Sequence, residues 1–181
     1  MNLSSMNRSQ RDIQMAFLKL LQERSFDMMT ISLIAKQAQV SRQTFYTYYP
    51  SLFDLATAVL TVYLAPIKQT VKARVNAMQD KSFAVTYQEM APMLATELLE
   101  KRADYVALRK LPLGQNGFDA RLKSILKTTL SDAYQGEMDQ LTQSFIAHLM
   151  MAELDYIFET GELPTATRLV ASIAKVQQLF R

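Results

Sequence analysis

Residues 30–55 read TISLIAKQAQVSRQTFYTYYPSLFDL, and this stretch carries the strongest local-structure signals in the chain. Thr30 and Ser41 each stand directly before a run of helical character. Threonine and serine are preferred helix N-caps because their side-chain oxygen accepts a hydrogen bond from a backbone amide of the first turn. Only Gln39 and Val40 separate the two runs. We therefore predict two short helices joined by a tight turn, the second running from Arg42 to Tyr48 or Tyr49.

Another helix precedes this pair. Five apolar residues follow the i, i+3, i+4, i+7, i+8 spacing of one amphipathic helix face, namely Ile13, Ala16, Phe17, Leu20 and Leu21. Asn7 or Ser9 can cap its start. Three short helices with a tight turn between the last two form a helix-turn-helix. Any three-helix corner of an all-α protein has the same periodicity, so both interpretations stay open on pattern alone.

The rest of the chain also predicts helices. Pro50 ends the third helix, because proline disfavours helix in the residue before it, and Ser51 with Asp54 is typical of a capping box that starts the fourth. Further helices are expected at about 51–78, 82–100, 103–110, 118–133, 137–160 and 165–180, with kinks or breaks at Pro66 and Pro92. The prediction is an all-α fold of about nine helices, with a head at 1–50 and a helical-bundle body at 51–181.

Composition excludes several functional classes. The chain has no cysteine and one histidine, His148, which excludes a disulfide scaffold, a thiolate nucleophile and metal sites built on cysteine or clustered histidines. No apolar run reaches the roughly 18 residues of a membrane span, and residues 1–11 lack a signal-peptide core. We expect a cytoplasmic protein without a cofactor, a metal or a membrane contact.

Charge points to one end of the chain. The net charge is only +3, but the first 50 residues hold six basic and three acidic side chains, whereas the other 131 hold 14 of each. A polyanionic partner would therefore bind near the N-terminus. A three-charge excess is also common on surfaces that bind nothing.

The stretch quoted above resembles the DNA-binding signature of the TetR/AcrR family of transcriptional regulators. The shared features are a Thr-capped helix ending in Ile-Ala, a turn ending in Val-Ser, an aromatic residue followed by Tyr, and an aromatic residue before Pro-Ser. The resemblance covers about the first 55 residues. It implies a dimeric regulator whose body binds a small molecule and whose last two helices form the dimer interface.

Three residues depart from the family pattern. Gln39 stands where the family usually has a turn glycine, and a left-handed backbone there costs a residue with a side chain free energy. Gln43 replaces a frequent glycine of the recognition helix. Leu52 replaces a lysine that touches phosphate, which predicts weaker DNA binding or a shallower salt dependence.

A recognition helix contacts base edges mainly through its N-terminal residues, which here are Ser41, Arg42, Gln43 and Thr44. Gln43 can pair with adenine, Arg42 with guanine or with phosphate, and Thr44 can touch a thymine methyl group. A solvated helix face is the alternative for Arg42 and Gln43.

The aromatic run divides by helix geometry. The resemblance implies that Tyr46 and Tyr48 contact the DNA backbone, while Phe45 and Tyr49 alternate with them and are predicted core residues. All four rings could instead belong to the core. Thr30 places a helix N-terminus near phosphate. Arg8 and Arg11 could reach the DNA or belong to a solvated tail.

The two C-terminal helices carry apolar stripes that predict a homodimer. In the first, one stripe contains Met138, Leu141, Phe145, Leu149, Ala152 and Tyr156, and a second contains Ile146, Met150 and Ile157. In the last helix the stripe is Leu169, Ile173, Val176 and Phe180. A helix with two apolar faces must bury both, against its own body and against a partner, or else inside a monomer. A dimer would place two recognition helices roughly 34–36 Å apart and bind palindromic double-stranded DNA.

The resemblance also implies a small apolar effector that releases a repressor from DNA. Methionine and aromatic residues suit adaptable pockets, and the candidates are Met78, Phe83, Tyr87, Met90, Met93, Tyr105 and Phe118. The same residues suit an ordinary core, which is the interpretation we prefer for them, and His148 is predicted to be a surface or interface residue.

Two other classes of function are alternatives to a DNA-binding regulator. An enzyme is not expected, because the chain has no paired metal ligands, phosphate-binding glycine loop or nucleophile elbow. A family member that acts mainly through a protein partner, with weak DNA binding of its own, is the alternative. The departures at Gln39 and Leu52, and a body whose basic and acidic residues are equal in number, favour it.

Overall fold

The computed structural model describes residues 6–135 and 137–179, and these residues form helices and connecting turns without a β-strand. The α-helices are α1 (Arg8–Glu23), α2 (Ile31–Gln37), α3 (Arg42–Tyr48), α4 (Leu52–Asp80), α5 (Phe83–Leu94), α6 (Arg102–Arg109), α7 (Phe118–Tyr134), α8 (Gln140–Thr160) and α9 (Ala166–Gln178). Short 3₁₀ turns lie at Phe26–Met28 and Gly114–Asn116. The predicted all-α class and helix number are confirmed.

The first of two compact units contains the described residues up to Pro66 together with Ala103–Leu122. It includes the three predicted head helices, and the side chains of Ile13, Phe17, Ile34 and Phe45 are completely buried in it. This unit is larger than the head expected at 1–50. The boundary at residue 50 was predicted for the DNA-binding domain and not for a compact unit, so it stays a prediction.

Polar contacts hold α6 and the start of α7 against α4 within this unit. The Tyr63 hydroxyl donates to Asp104 Oδ2 at 2.6 Å, and the Tyr105 hydroxyl donates to the Tyr63 carbonyl at 3.3 Å. Arg121 Nη2 donates to Thr61 Oγ1 at 3.0 Å. Tyr105 and Phe118 are buried here, so these two effector candidates are core residues of the first unit.

The second unit contains Ile67–Arg102 and the described residues from Lys123 onward. Its core is formed by one face each of α4, α5, α7 and α8, including Val75, Leu94, Leu126, Leu130, Ile157 and Phe158. Helix α8 starts at Gln140, three residues later than predicted, because the Asp139 carboxylate accepts hydrogen bonds from the amides of Leu141 and Thr142 at 2.8 and 3.0 Å. It ends as predicted at Gly161, which has a φ of 75°.

The two internal prolines have different outcomes. Helix α4 continues through Pro66 to Asp80 without interruption. In the next predicted segment the α-helix ends at Leu94, two residues after Pro92, and Ala95–Leu99 forms a π-helical turn. A proline removes one backbone hydrogen bond and crowds the turn before it, whereas the change of helix type lies in the turn after Pro92.

Candidate nucleic-acid interface

The first element of the predicted interface is the start of α2. Thr30 is exposed, and its Oγ1 accepts a hydrogen bond from the Leu33 amide at 3.2 Å. This is the N-cap geometry predicted from the sequence. The cap fixes where α2 begins and leaves Thr30 on the surface.

The turn between α2 and α3 depends on one residue with a left-handed backbone. Gln39 has a φ of 55°, while its amide donates to the Lys36 carbonyl at 3.2 Å and the Val40 amide donates to the Ala35 carbonyl at 2.9 Å. These two bonds form a Schellman motif, which requires a left-handed residue at this point. Gln39 therefore adopts a left-handed conformation that glycine would adopt without strain, and we expect the strain for glutamine to be about 1 kcal/mol.

Helix α3 begins with an exposed polar turn. Ser41 Oγ accepts from the Thr44 amide at 2.9 Å, and the two hydroxyl oxygens lie 2.8 Å apart. Arg42 and Gln43 are exposed. Within the described residues their side chains make no hydrogen bond or ion pair. The structure thus places all four predicted base-contacting residues on one helical turn, with two of them free to bind an outside partner.

The aromatic run divides into core and surface as predicted. Phe45 and Tyr49 are buried, whereas Tyr46 is 44% exposed and Tyr48 is half-buried. The Tyr48 hydroxyl accepts a hydrogen bond from Asn7 Nδ2 at 2.8 Å. Since a hydroxyl group also has one donor, Tyr48 keeps a proton that it can give to an outside acceptor.

Sequence reasoning missed the residues that attach α1 to α3. Asn7 caps α1 as predicted, through Oδ1 and the Gln10 amide at 2.9 Å, but it also bonds to Tyr48. Gln14 is buried and donates to the Tyr49 hydroxyl at 2.8 Å. A glutamine on the inward face of a helix, and a core tyrosine that needs a hydroxyl partner, were the available signals.

The start of α4 lacks a positive charge. The predicted capping box is present, because the Asp54 amide donates to Ser51 Oγ at 3.2 Å and Ser51 Oγ donates to Asp54 Oδ2 at 2.6 Å. Leu52 is half-buried and Asp54 is exposed. Where a lysine would attract phosphate, this helix start carries an apolar and an acidic side chain, which favours a shallower salt dependence of DNA binding.

Comparisons with known proteins agree with this geometry. A sequence model described as "Bacterial regulatory proteins, tetR family" matches residues 16–59. A solved structure described as a transcriptional regulator (TerR/AcrR family) from Aquifex aeolicus VF5 superposes with a TM-score of 0.57, at 13% identity, over 96% of this chain and 99% of that chain. Residues 16–59 of this chain therefore match the TetR family, and the chain shares the fold of the first of these regulators.

The match to this family model and the geometry of α2 and α3 identify a helix-turn-helix DNA-binding domain of the TetR type in the first unit. Regulators of the TetR family are not enzymes, in agreement with the sequence prediction. A second solved structure, described as the dihydroxyacetone kinase operon activator DhaS, has a TM-score of 0.49 at 21% identity and covers 93% of each chain. No curated protein sequence matches the chain.

The apolar residues of the two C-terminal helices differ in exposure. On α8, Leu141 and Phe145 of the first predicted stripe are 65% and 63% exposed. Of the second predicted stripe only Ile157 is buried, while Ile146 and Met150 are half-buried. The rest of the buried apolar face of α8 consists of residues outside both stripes, namely Ala147, Met151, Leu154 and Phe158. On α9, Val176 is exposed, whereas Leu169 and Ile173 are half-buried. Phe180, the last member of the α9 stripe, lies outside the described residues.

A small cavity lies in the second unit. Its volume is about 30 Å³, and its wall has seven apolar side chains and the polar residues Thr70, Arg74, Glu97 and Glu153. None of the seven candidate effector residues lines it. Among those candidates Met93 is exposed, while Phe83 and Tyr87 stack on each other with ring centroids 5.8 Å apart.

The cavity wall includes a buried ion pair. Arg74 Nη1 lies 2.8 Å from Glu153 Oε2, and both side chains are less than 10% exposed. The Arg74 guanidinium also lies over the rings of Phe83 and Tyr87, at 5.1 and 5.2 Å from their centroids. Burial, together with the negative charge of Glu153, raises the pKa of the Tyr87 hydroxyl, and a side-chain interaction with the Glu153 carboxylate adds to the shift.

Other predicted features concern His148, metals and membranes. His148 is exposed, as predicted, and its Nδ1 lies 2.7 Å from the Ser144 carbonyl oxygen. No group of three or more acidic or histidine side chains within residues 6–135 and 137–179 could hold a metal ion. Over the same residues no single helix is long and apolar enough to cross a membrane, although α3 and α4 taken together, across a 57° bend, pass that test.

Proposed function

We propose that the chain is a homodimeric repressor in the cytoplasm that binds a palindromic operator in double-stranded DNA and is released by a small effector. The observation that carries the DNA-binding part is the first turn of α3, where Arg42 and Gln43 are exposed and free of protein partners in the described residues. The N-terminal turn of a recognition helix is the part that enters the major groove.

Each predicted contact residue has a role in this proposal. Gln43 pairs with adenine and Arg42 with guanine or phosphate. Because the Thr44 hydroxyl faces Ser41, its methyl group is the part left for a thymine methyl. Thr30, Tyr46 and Tyr48 contact phosphate, Tyr48 through the hydroxyl proton that its bond to Asn7 leaves available.

The exposed face of α8 supports the dimer. Leu141, Phe145 and Leu149 recur at four-residue spacing, each at least 46% exposed, and they form one continuous apolar strip on the helix. Exposed apolar strips of this kind mark protein interfaces. A second copy related by a two-fold axis would cover the strip with the same surface and set two α3 helices for a palindrome.

Selection of bound duplexes from a random DNA pool, followed by titration of the selected sequence at two salt concentrations, tests the proposal. We expect a palindrome, and a steep fall in affinity with salt. Gln43→Ala should change the preferred base at one position of each half-site, whereas Tyr46→Phe should weaken binding to all sequences alike. Light scattering of Leu141→Glu/Phe145→Glu should give monomer if α8 forms the interface, with Met15→Glu, at an exposed apolar residue of α1, as the control.

A protein-partner function is the second candidate. It is favoured by Leu52 at the start of α4 and by exposed apolar groups near it, since Met28 is 70% and Phe53 54% exposed and Phe53 contacts Phe26 with centroids 5.2 Å apart. Folded dimeric protein that enriches no sequence at low salt would support this candidate and contradict the repressor.

A further inference from the structure

The cavity beside the Arg74–Glu153 pair has an unusual wall. Seven of its lining side chains are apolar, yet one ion pair is buried among them. Removing two charges from water costs several kcal/mol per ion in real proteins, and apolar replacements of such pairs are often as stable. A buried pair beside a cavity is therefore poorly explained by stability alone.

Arg74 keeps hydrogen-bonding capacity at this wall. A guanidinium group has five N–H donors, and Arg74 makes one hydrogen bond, to Glu153, among the residues that the structure describes. The two aromatic rings hold the group in place. The fixed guanidinium thus offers donors to any acceptor that enters the cavity.

The charges of the wall are already balanced. Arg74 is paired with Glu153, and Glu97 is paired with Lys101 at 2.8 Å. A ligand with a net charge would leave one charge uncompensated in a region of low dielectric constant, which is costly. An uncharged ligand with an oxygen acceptor would satisfy the donors and keep the balance.

One side of the cavity wall belongs to a segment that is not α-helical. Glu97 and Leu98 lie in the π-helical turn at Ala95–Leu99, and such turns are frequent at functional sites. The present volume of about 30 Å³ is far below the roughly 300–1,000 Å³ of pockets for drug-sized ligands. A ligand must therefore be small or must displace this turn.

We propose that the cavity binds a small uncharged molecule with an apolar body and a carbonyl-type oxygen, which accepts hydrogen bonds from Arg74. This deepens the proposed effector-controlled function and rests on it. Ketones, esters and amides of short chain length belong to this class, and carboxylates and amines of the same length do not.

Thermal unfolding with three probes of equal chain length tests the class: 2-heptanone, heptanoate and heptylammonium, each at millimolar concentration. We expect the ketone to raise the unfolding midpoint by about 3–6 °C at roughly ten times its Kd, and the charged probes to have no specific effect. A larger shift with heptanoate or heptylammonium would overturn the class, and no shift with any probe would mean that the cavity holds only water.

Variants assign the response to this site. Arg74→Met/Glu153→Met keeps the cavity apolar but removes the donors, and the ketone shift should be lost. The matched control is Lys81→Met/Glu89→Met, which removes an exposed ion pair of the same unit and should keep the full shift. If the cavity double variant does not fold, Met150→Phe fills the cavity with the pair intact, and a retained ketone shift there would also contradict the proposal.

DNA binding is measured separately with the selected operator. Ketone binding together with loss of the DNA complex supports both the site and the effector-controlled repressor. Ketone binding with an unchanged DNA complex supports the site but overturns effector release. Absence of DNA binding, with the ketone shift intact, contradicts the repressor and leaves the site supported.

Discussion

The first unit buries a neutral polar pair, Gln14 with Tyr49, whereas the second buries a charged pair, Arg74 with Glu153. The neutral pair forms one hydrogen bond of 2.8 Å between α1 and α3. The charged pair lies beside a cavity, and the Tyr87 ring lies against the Arg74 guanidinium. Polar groups in the first unit fix the position of a recognition helix, while those in the second leave donors unused.

This difference suggests different uses of buried polarity. Hydrogen-bonded neutral groups cost little once both are satisfied, and they specify a single packing arrangement. A charged pair with spare donors is costly to keep, and the cost is recovered only when an outside group satisfies it. Substitutions in the two pairs test the contrast, and two further substitutions test the turn and the charge of the first unit.

The largest effect is expected from Glu153→Leu. It leaves the Arg74 guanidinium buried without its counter-charge, and the free energy of unfolding should fall by about 3–5 kcal/mol. Urea denaturation measures the change. Arg74→Met/Glu153→Met should recover most of the loss, and a loss below 1 kcal/mol for the single variant would show that water already satisfies Arg74.

Tyr49→Phe should have a smaller effect on stability. The change leaves the Gln14 amide buried without its acceptor, at a cost of about 1–3 kcal/mol. Gln14→Leu/Tyr49→Phe removes both polar groups and should return close to the parent value in the same denaturation experiment. If this stable double variant binds the operator more weakly than the parent, the pair also positions α3, and unchanged binding would limit the pair to a structural role.

Gln39→Gly should be stabilising. Glycine adopts the φ of 55° without steric strain, so the free energy of unfolding should rise by about 0.5 kcal/mol, which is the strain of about 1 kcal/mol less the greater flexibility of the unfolded chain. Gln37→Gly, at the end of α2, is the control and should be destabilising. A lower stability of Gln39→Gly would mean that the glutamine side chain makes a compensating contact.

Leu52→Lys should change DNA binding rather than folding. A lysine at the start of α4 adds one phosphate contact per head, and the slope of log K against log salt should become steeper by about 0.9 per head. Titration of the selected operator over a range of salt concentrations measures the slope. Leu52→Gln is the uncharged control, and an equal slope for both variants would place this helix start away from phosphate.

Much of the head was predictable from local signals. Thr30, Ser41 and Ser51 are caps because their hydroxyl groups accept the first amides of the helices they precede, and these bonds depend on neighbouring residues alone. The alternation of Phe45 and Tyr49 with Tyr46 follows from helix periodicity. The left-handed turn at Gln39 was expected from the resemblance instead, because the family usually has a glycine at this position.

The predicted ends of the later helices were less accurate, because neighbouring residues compete to form the first or last hydrogen bonds of a helix. Asp139 captures two amides and delays α8 to Gln140, although the acidic and polar residues before it also fit a helix. Near Pro92 the backbone changes to a π turn at Ala95, a choice among helix types that a proline alone does not specify.

Local sequence signals were enough to predict the helical class, the caps and tight turn of the head, and the first apolar stripe of α8, since each arises from regularly spaced residues of one short segment. Only the tertiary structure brought Gln14 to Tyr49, and Arg74 to Glu153, residues separated by 35 and 79 positions. Such contacts depend on which helices pack together and in what register. Since a hydrogen bond needs a donor–acceptor distance of about 3 Å, a small shift of one helix along another would break it.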